Sequence, residues 1–240
     1  SPDGKTIASI ADDMVCRLWD AASGKQIHEL RDHKEKTPNH YPSMLYACAF
    51  SNDGKHLATA DKVGHIVIWD RATGKKVNSV EAPGMYTWDP RQRRHSIGGV
   101  RSLAFSPDDK LLAAGGIGKI GNIDHLGGKS RLEVFDWKKG ERLATIESKN
   151  NGLIQHLEFH PKGDWLLGAG GANNGIFVFY DLKSKKVIRE DKAPMHIRTQ
   201  SRNRFRSAIV KGITTRSVVQ RCVASATRRR REMAPQFQSE

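Results

Sequence analysis

The stretch "CRLWDAASGKQI" occupies residues 16–27, and "IVIWDRATGKKV" occupies residues 66–77. Each is a short apolar run ending in Trp-Asp, then a polar turn ending in Gly-Lys, then a second run. Apolar runs of about five residues bounded by Ser-Gly or Thr-Gly read as strand, tight turn and strand. The phrase recurs fifty residues on, and recurrence at a fixed register is the signature of a repeat architecture.

Working outward from Trp69, the unit extends back through "LYACAFSNDGKHLATADKVGHIVIWD". Two further units fit the frame. One is "VRSLAFSPDDKLLAAGG" with, after an insertion, "RLEVFDWKKGERLATIE"; the other is "IQHLEFHPKGDWLLGAGGANNGIFVFYDLKSKKVIRE". Phe50, Phe105 and Phe159 end the first strand of these units, and turns follow at Ser51–Lys55, Ser106–Lys110 and His160–Asp164. Gly4, Gly54 and Gly163 can supply a positive φ to such turns, and Pro2, Pro107 and Pro161 suit their entry. "HIVIW" and "IFVFY" hardly alternate, so these strands are expected to be buried on both faces. One four-stranded sheet cannot bury both its faces alone, but stacked sheets can.

These units resemble WD repeats, the blades of a β-propeller. The resemblance rests on the Ser-Pro-Asp-Gly turn, the Leu/Ile-Ala-Ser/Thr strand, the Trp-Asp ending and the Ser/Thr-Gly-Lys turn, and covers roughly residues 1–194. It implies an all-β fold of four-stranded antiparallel blades in an incomplete ring, with units at about 1–33, 45–82, 99–148 and 153–192. It also implies a structural hydrogen-bonding set in each blade. In the first unit the matching residues are Ser9, Asp12 or Asp13, and Trp19. In the second they are Thr59, Asp61 and Trp69, with His33 or His40 as the histidine. Phe135 and Tyr180 replace Trp in the third and fourth units, and Ala replaces Ser/Thr, so packing is expected to hold those blades. The first unit lacks its first strand. Propellers have about 4–8 blades, so a piece of a longer propeller is expected; the alternative is a four-bladed ring closed by the tail.

The formal charge of +14 is uneven. Residues 195–240 hold eleven basic and two acidic residues, a net +9; the first 194 hold 29 against 24, a net +5. After Pro194 the repeat pattern stops, and "SATRRRREMAPQFQSE" is basic and of low complexity. This tail reads as disordered, and either as an arm that binds phosphate backbone, as an inert extension, or as a non-native or out-of-frame segment. Nucleic acid is a partner only through it. No apolar run of about 18 residues occurs, so no membrane-spanning helix and no membrane partner is expected, and the cytoplasm is the default location. Cys16, Cys48 and Cys222 have neither disulfide nor zinc spacing.

No nucleophile elbow, His-Glu-x-x-His helix or phosphate loop is present, and no cofactor is expected. "HLEFH" places His156, Glu158 and His160 at alternate positions of a strand, a weak metal candidate. Three insertions interrupt the repeat: Lys34–Met44, Met85–Gly98 and Ile117–Ser130. The second, "MYTWDPRQRRHSIG", joins Tyr86 and Trp88 to Arg91, Arg93, Arg94 and His95, residue types enriched at interface hot spots. Either it is a solvated connection with Trp88 against its own blade, or it binds a partner. In the resembling family this connection lies near the central channel. The leading expectation is a non-catalytic scaffold that binds a protein or peptide, with acidic character to match the arginines. The rival readings are the propeller portion of a larger enzyme or redox protein, and a nucleic-acid binder.

Overall fold

The computed structural model describes residues 1–91, 96–121, 127–172 and 174–193. Its first sheet has three strands, β1 (Thr6–Ile10), β2 (Cys16–Asp20) and β3 (Gln26–Leu30). Three four-stranded sheets follow. The second is β4 (Leu45–Phe50), β5 (His56–Asp61), β6 (His65–Asp70) and β7 (Lys76–Glu81). A two-stranded ribbon, β8 (Tyr86–Trp88) and β9 (Ser96–Gly98), leads to the third. That sheet is β10 (Val100–Phe105), β11 (Leu111–Ile117), β12 (Lys129–Asp136) and β13 (Glu141–Asn151). The fourth is β14 (Leu153–Phe159), β15 (Trp165–Gly171), β16 (Gly175–Asp181) and β17 (Lys186–Ala193). Each sheet is a meander in which consecutive strands pair antiparallel.

The repeated phrase has a local physical job. The Asp after each aromatic turns its carboxylate onto the turn that follows. Asp70 Oδ1 accepts from the Thr73 backbone N–H at 2.8 Å and from the Thr73 hydroxyl at 2.7 Å. Asp20 Oδ1 accepts from Ser23 in the same way, at 2.7 and 2.6 Å. Asp181 Oδ1 accepts from the Ser184 N–H at 2.5 Å. Gly24 and Gly74 both sit at φ +68°, the left-handed conformation that glycine adopts at little cost. Beyond the turn, each outer strand carries one extra residue: the register slips at Trp19, Trp69, Phe135 and Tyr180. The bulged residues are Ile27, Val77, Leu143 and Ile188, all exposed. An aliphatic side chain at that point therefore belongs to the bulge and not to the core.

The core lies between sheets. Residues of β5 and β6 alternate between two neighbours. Leu57, Val67 and Trp69 pack with Cys16, Leu18 and Leu30 of the first sheet. Ala58, Ala60, Ile66 and Ile68 pack with Leu103, Phe105, Leu112, Phe135 and Trp137 of the third. The third and fourth meet through Leu132, Val134, Ile154, Leu166 and Tyr180. Double-sided burial of "HIVIW" and "IFVFY" follows from this stacking.

At the end of the sheets where the inner two strands turn, polar clamps join the blades. Arg71 donates to both carboxylate oxygens of Asp3 at 3.0 Å. Asp109 accepts from the backbone N–H groups of Asn52 and Asp53 at 2.7 and 2.8 Å. Asp109 has φ +55°, at the turn position where the other units carry Gly4, Gly54 and Gly163. A left-handed backbone at a non-glycine costs roughly 1–2 kcal/mol, and the clamp offsets it. Asp109→Ala loses the acceptors and keeps the strain, so a loss of about 1–3 kcal/mol is expected. Asp109→Gly loses the acceptors and relieves the strain, and should be milder by about 1 kcal/mol. Urea unfolding of the two variants checks both values, and an Asp109→Ala protein as stable as wild type contradicts the clamp.

Candidate functional site

The second blade carries a complete polar set. Trp69 Nε1 donates to Thr59 Oγ1 at 2.8 Å, and His33 Nε2 lies 2.8 Å from the same oxygen. His33 Nδ1 meets Asp61 Oδ2 at 3.1 Å. Asp61 Oδ1 accepts from the N–H groups of Val63 and His65, so the loop between β5 and β6 is held by the same carboxylate. The histidine is therefore His33 and not His40.

The first unit differs from expectation. Trp19 Nε1 donates to Ser9 Oγ at 2.8 Å, but Trp19 is only half-buried. Neither Asp12 nor Asp13 completes the pair: the position equivalent to Asp61 is Ala11. Asp13 instead accepts from the Val15 N–H and pairs with Arg17, and Asp12 is exposed. Trp69→Ala, at a site 3% exposed, should cost about 3–5 kcal/mol as a core aromatic truncation. Trp19→Ala should cost less than half of that, and denaturant midpoints decide.

In the third and fourth units, Phe135 and Tyr180 are buried in apolar clusters. Ala114 stands at the Ser/Thr position of the third unit, but the fourth carries Gly168 there, not Ala. Leu132 and Ile154 fill that space; a Cβ on Gly168 would sit 3.1 Å from Leu132. Trp137, two residues past Phe135, buries its ring edge-on against Phe105 and donates to the Asp109 carbonyl at 2.9 Å.

The proposed ligand face at "HLEFH" does not assemble. The strand ends at Phe159, and His160 lies in the turn, stacked on Trp165 and 3.2 Å from Asp164. His156 sits 3.6 Å from Glu158. No group of three ligand-type side chains among the described residues is placed to hold a metal. Burial pushes the Cys16 thiol up to about 12, so it is an inert core group at neutral pH.

A second histidine links two charged strands. His65 contacts the Glu81 carboxylate on one side and Asp32 Oδ2, at 3.4 Å, on the other. Lys76 also donates to Asp32, at 2.8 Å, and the His33 ring stands edge-on to His65 at 5.3 Å. The Glu81 hydrogen bond raises the pKa of His65 against the opposing effect of burial, and Asp32 and Asp61 add to the rise. A raised folded pKa gives stability that is full below the unfolded value near 6.5 and is lost as pH rises through the folded value. The stability difference between wild type and His65→Gln should therefore shrink from pH 6 to pH 9. A difference that grows with pH, in urea unfolding, contradicts this.

The three insertions share one end of the sheets. In a meander the connections from second to third strand and from fourth strand to the next blade leave from the same end. Two of the insertions join blades, and the third joins β11 to β12. They touch: the Tyr86 hydroxyl meets Asn39 Oδ1 at 3.3 Å and Ser96 Oγ at 3.1 Å, and Ile120 N–H donates to Thr87 Oγ1 at 3.0 Å. Ile117 and Ile120 pack with Ile97 and Leu153.

The middle insertion is not a plain loop. It is the ribbon β8–β9, with Tyr86, Thr87 and Trp88 opposite Gly98, Ile97 and Ser96. Its root is fixed by close backbone approaches: a Cβ on Gly98, at φ +119°, would lie 2.2 Å from the Met85 carbonyl. Arg131 lies under Gly84, tied to Glu133 at 2.7 Å and to Glu147 at 2.7 Å. Glu133 is fully buried and takes a second cation, Arg142, at 3.0 Å. The sequence reading missed this cluster, whose signal was a Glu at the position of Val67 and Val178. Trp88 is 41% exposed and does not tuck against its blade. Asp89 accepts from the Arg91 N–H at 2.9 Å, and Arg91 projects into solvent. Arg93, Arg94 and His95 lie outside the described residues, as do residues 194–240. A cleft of about 450 Å³ runs between Thr87–Arg91 and Lys119–Gly121. A larger one of about 580 Å³, between β13 and β17, is lined by residues such as Glu190 that already bond the backbone of Lys149.

The family model "WD domain, G-beta repeat" matches residues 24–70 and 89–119. The chain carries WD repeats. WD repeat-containing protein 70 of Xenopus tropicalis is 26% identical over 71% of this chain and 32% of its own length. Protein hir-1 of Neurospora crassa is 32% identical over 52% of this chain and 13% of its own. The chain thus spans a third or less of these relatives. The crystal structure of the Cps50 (Swd1) β-propeller domain from Myceliophteria thermophila matches with a TM-score of 0.57 at 16% identity, over 82% of this chain and 55% of that one. It shows the propeller fold of the WD blades.

Proposed function

We propose that this WD-repeat chain is a non-catalytic interaction module that binds an acidic protein or peptide segment at the end carrying the insertions. The observation that carries this reading is the ribbon β8–β9. It is anchored at its root, abuts the other two insertions, and presents Trp88 and Arg91 beside a cleft that also holds Lys119. An exposed aromatic with guanidinium neighbours is the composition of an interface hot spot. A preorganised ribbon reduces the ordering cost of binding. Arg91, Arg93 and Arg94 offer forked donors that match carboxylates.

The test is a quantitative pull-down from the source organism with wild type and with Trp88→Ala, Arg91→Ala. The variant changes exposed side chains only, so its unfolding midpoint should stay within experimental error. Loss of a hot-spot tryptophan costs about 2 kcal/mol or more, so captured partners should weaken by roughly thirtyfold. Equal recovery by both proteins overturns the assignment of the ribbon.

A further inference from the structure

At the foot of the ribbon two cations stand together with no counter-ion among the described residues. Arg101 is the bulged residue at the start of β10, where the register with β11 slips between Val100 and Ser102. Tyr46 is the bulged residue at the same point of β4, between Leu45 and Ala47. The bulges turn both side chains out of their sheets and toward each other, and the Arg101 guanidinium lies 3.5 Å from the centre of the Tyr46 ring. Lys62, just past the end of β5, completes the group. A Cβ on Gly99, at φ +108°, would sit 2.8 Å from the Tyr46 ring and 3.0 Å from the Lys62 backbone. Only glycine lets these segments close up there.

The polar inventory of this group is unbalanced. Arg101 spends one Nη on the Gly98 carbonyl at 3.2 Å, and its Nε is buried with no hydrogen-bond partner. Among the described residues Lys62 Nζ reaches only the Pro42 carbonyl, at 3.4 Å. Among the described residues no carboxylate lies within ion-pair distance of either. Both side chains are half-buried. Burial first, and the neighbouring Arg101 second, lower the pKa of Lys62. Holding like charges together in a partly desolvated site is unfavourable, and a bound anion removes the penalty.

We propose that Tyr46, Lys62 and Arg101 form a carboxylate receptor that takes an Asp or Glu side chain of the partner segment. This rests on the reading of the chain as a module for acidic segments, and locates where one acidic side chain is read. Arg101 supplies its remaining Nη–H groups, stiffened by stacking on Tyr46. Lys62 supplies a mobile ammonium from the facing side. The receptor opens on the end that bears the ribbon, because Arg101 is bonded to the ribbon's last residue.

The probe is fluorescein-labelled hexaglutamate, titrated by anisotropy against the 240-residue chain. Four proteins are compared: wild type, Lys62→Gln with Arg101→Gln, Lys62→Arg, and a charge-matched control, Lys162→Gln with Lys183→Gln. The control residues are exposed and lie on the fourth blade. The basic tail is the same in every protein, so differences between them arise outside it. Removing the receptor charges should weaken binding by about tenfold or more, and the control should weaken it less than twofold. Lys62→Arg keeps the charge, and should bind within about threefold of wild type. Equal weakening in the two double variants, or no binding to wild type, overturns the receptor. Should the double variant lose its fold, the Lys62→Gln single change replaces it with the same expected direction. Partner capture that depends on Trp88 but not on Lys62 and Arg101 sinks the receptor and leaves the module reading standing. The converse result sinks the ribbon and leaves the receptor.

Discussion

Each blade must borrow half of its interior from the blade before it. The aliphatic that opens the second strand of a unit makes the point. Leu57, Leu112 and Leu166 are fully buried, because a preceding sheet covers that face. Ile7 occupies the same position in the first blade, paired with Trp19 as Leu57 is with Trp69, and is 55% exposed. The side chain and the pairing are alike and only the neighbour differs. Full burial of such a residue is worth roughly 1.5–3 kcal/mol, so stability in this architecture comes from interfaces between repeats more than from the sheet within each. The Trp-Thr-His-Asp set follows the same logic. His33 comes from the connection between the first two blades, so the set can be complete only where a preceding unit delivers its histidine.

The meander then separates two kinds of chemistry. One end of each sheet carries the turns between first and second strands and the Trp-Asp turns. There, carboxylates are consumed by backbone N–H groups and hydroxyls. The hydroxyls of Ser23, Thr73 and Ser184, then the backbone N–H groups, lower the pKa values of Asp20, Asp70 and Asp181. The other end carries the connections in which length can vary without touching those turns. All three insertions fall there. What ties the middle one down is a buried charge network. Glu133 satisfies both oxygens with Arg131 and Arg142, which keeps it from being a lone buried charge. Arg131 in turn occupies the space above which only Gly84 fits.

Much of the blade pattern was legible in the residues, because strand period, turn glycine and aromatic-Asp ending are local signals. Four sheets, their antiparallel order and the double-sided burial of β6 and β16 follow from them. What failed was what depends on the neighbour. Trp19 carries the same phrase as Trp69, and nothing in "CRLWD" says how far a neighbouring sheet covers it. The choice between His33 and His40 turned on a loop path that no short pattern encodes. The glycine at 168 is an exchange of volume with Leu132, visible only once two blades are packed. At the candidate site, Trp88 and the arginines stood out by composition, while Tyr46, Lys62 and Arg101 did not. They are fifty-five residues apart at the extremes, and two of them matter because of a bulge, which shifts register without leaving a mark in the apolar pattern.

The charge of the insertion end is a consequence of that division of labour, and not of composition alone. The first 194 residues are close to balanced, at 29 basic and 24 acidic. A surface with that ratio ordinarily pairs most of its cations. Here many of the acids are committed to turns at the far end, and Asp61 and Glu133 are committed to buried sets. Among the described residues, Lys62 and Arg101 have only carbonyls as hydrogen-bond acceptors. Carboxylates spent on the repeated turns are not available to this pair, although Asp32, Glu81 and Glu147 do pair with cations at the same end. The acidic segment proposed above would be drawn to this pair of cations before contact forms.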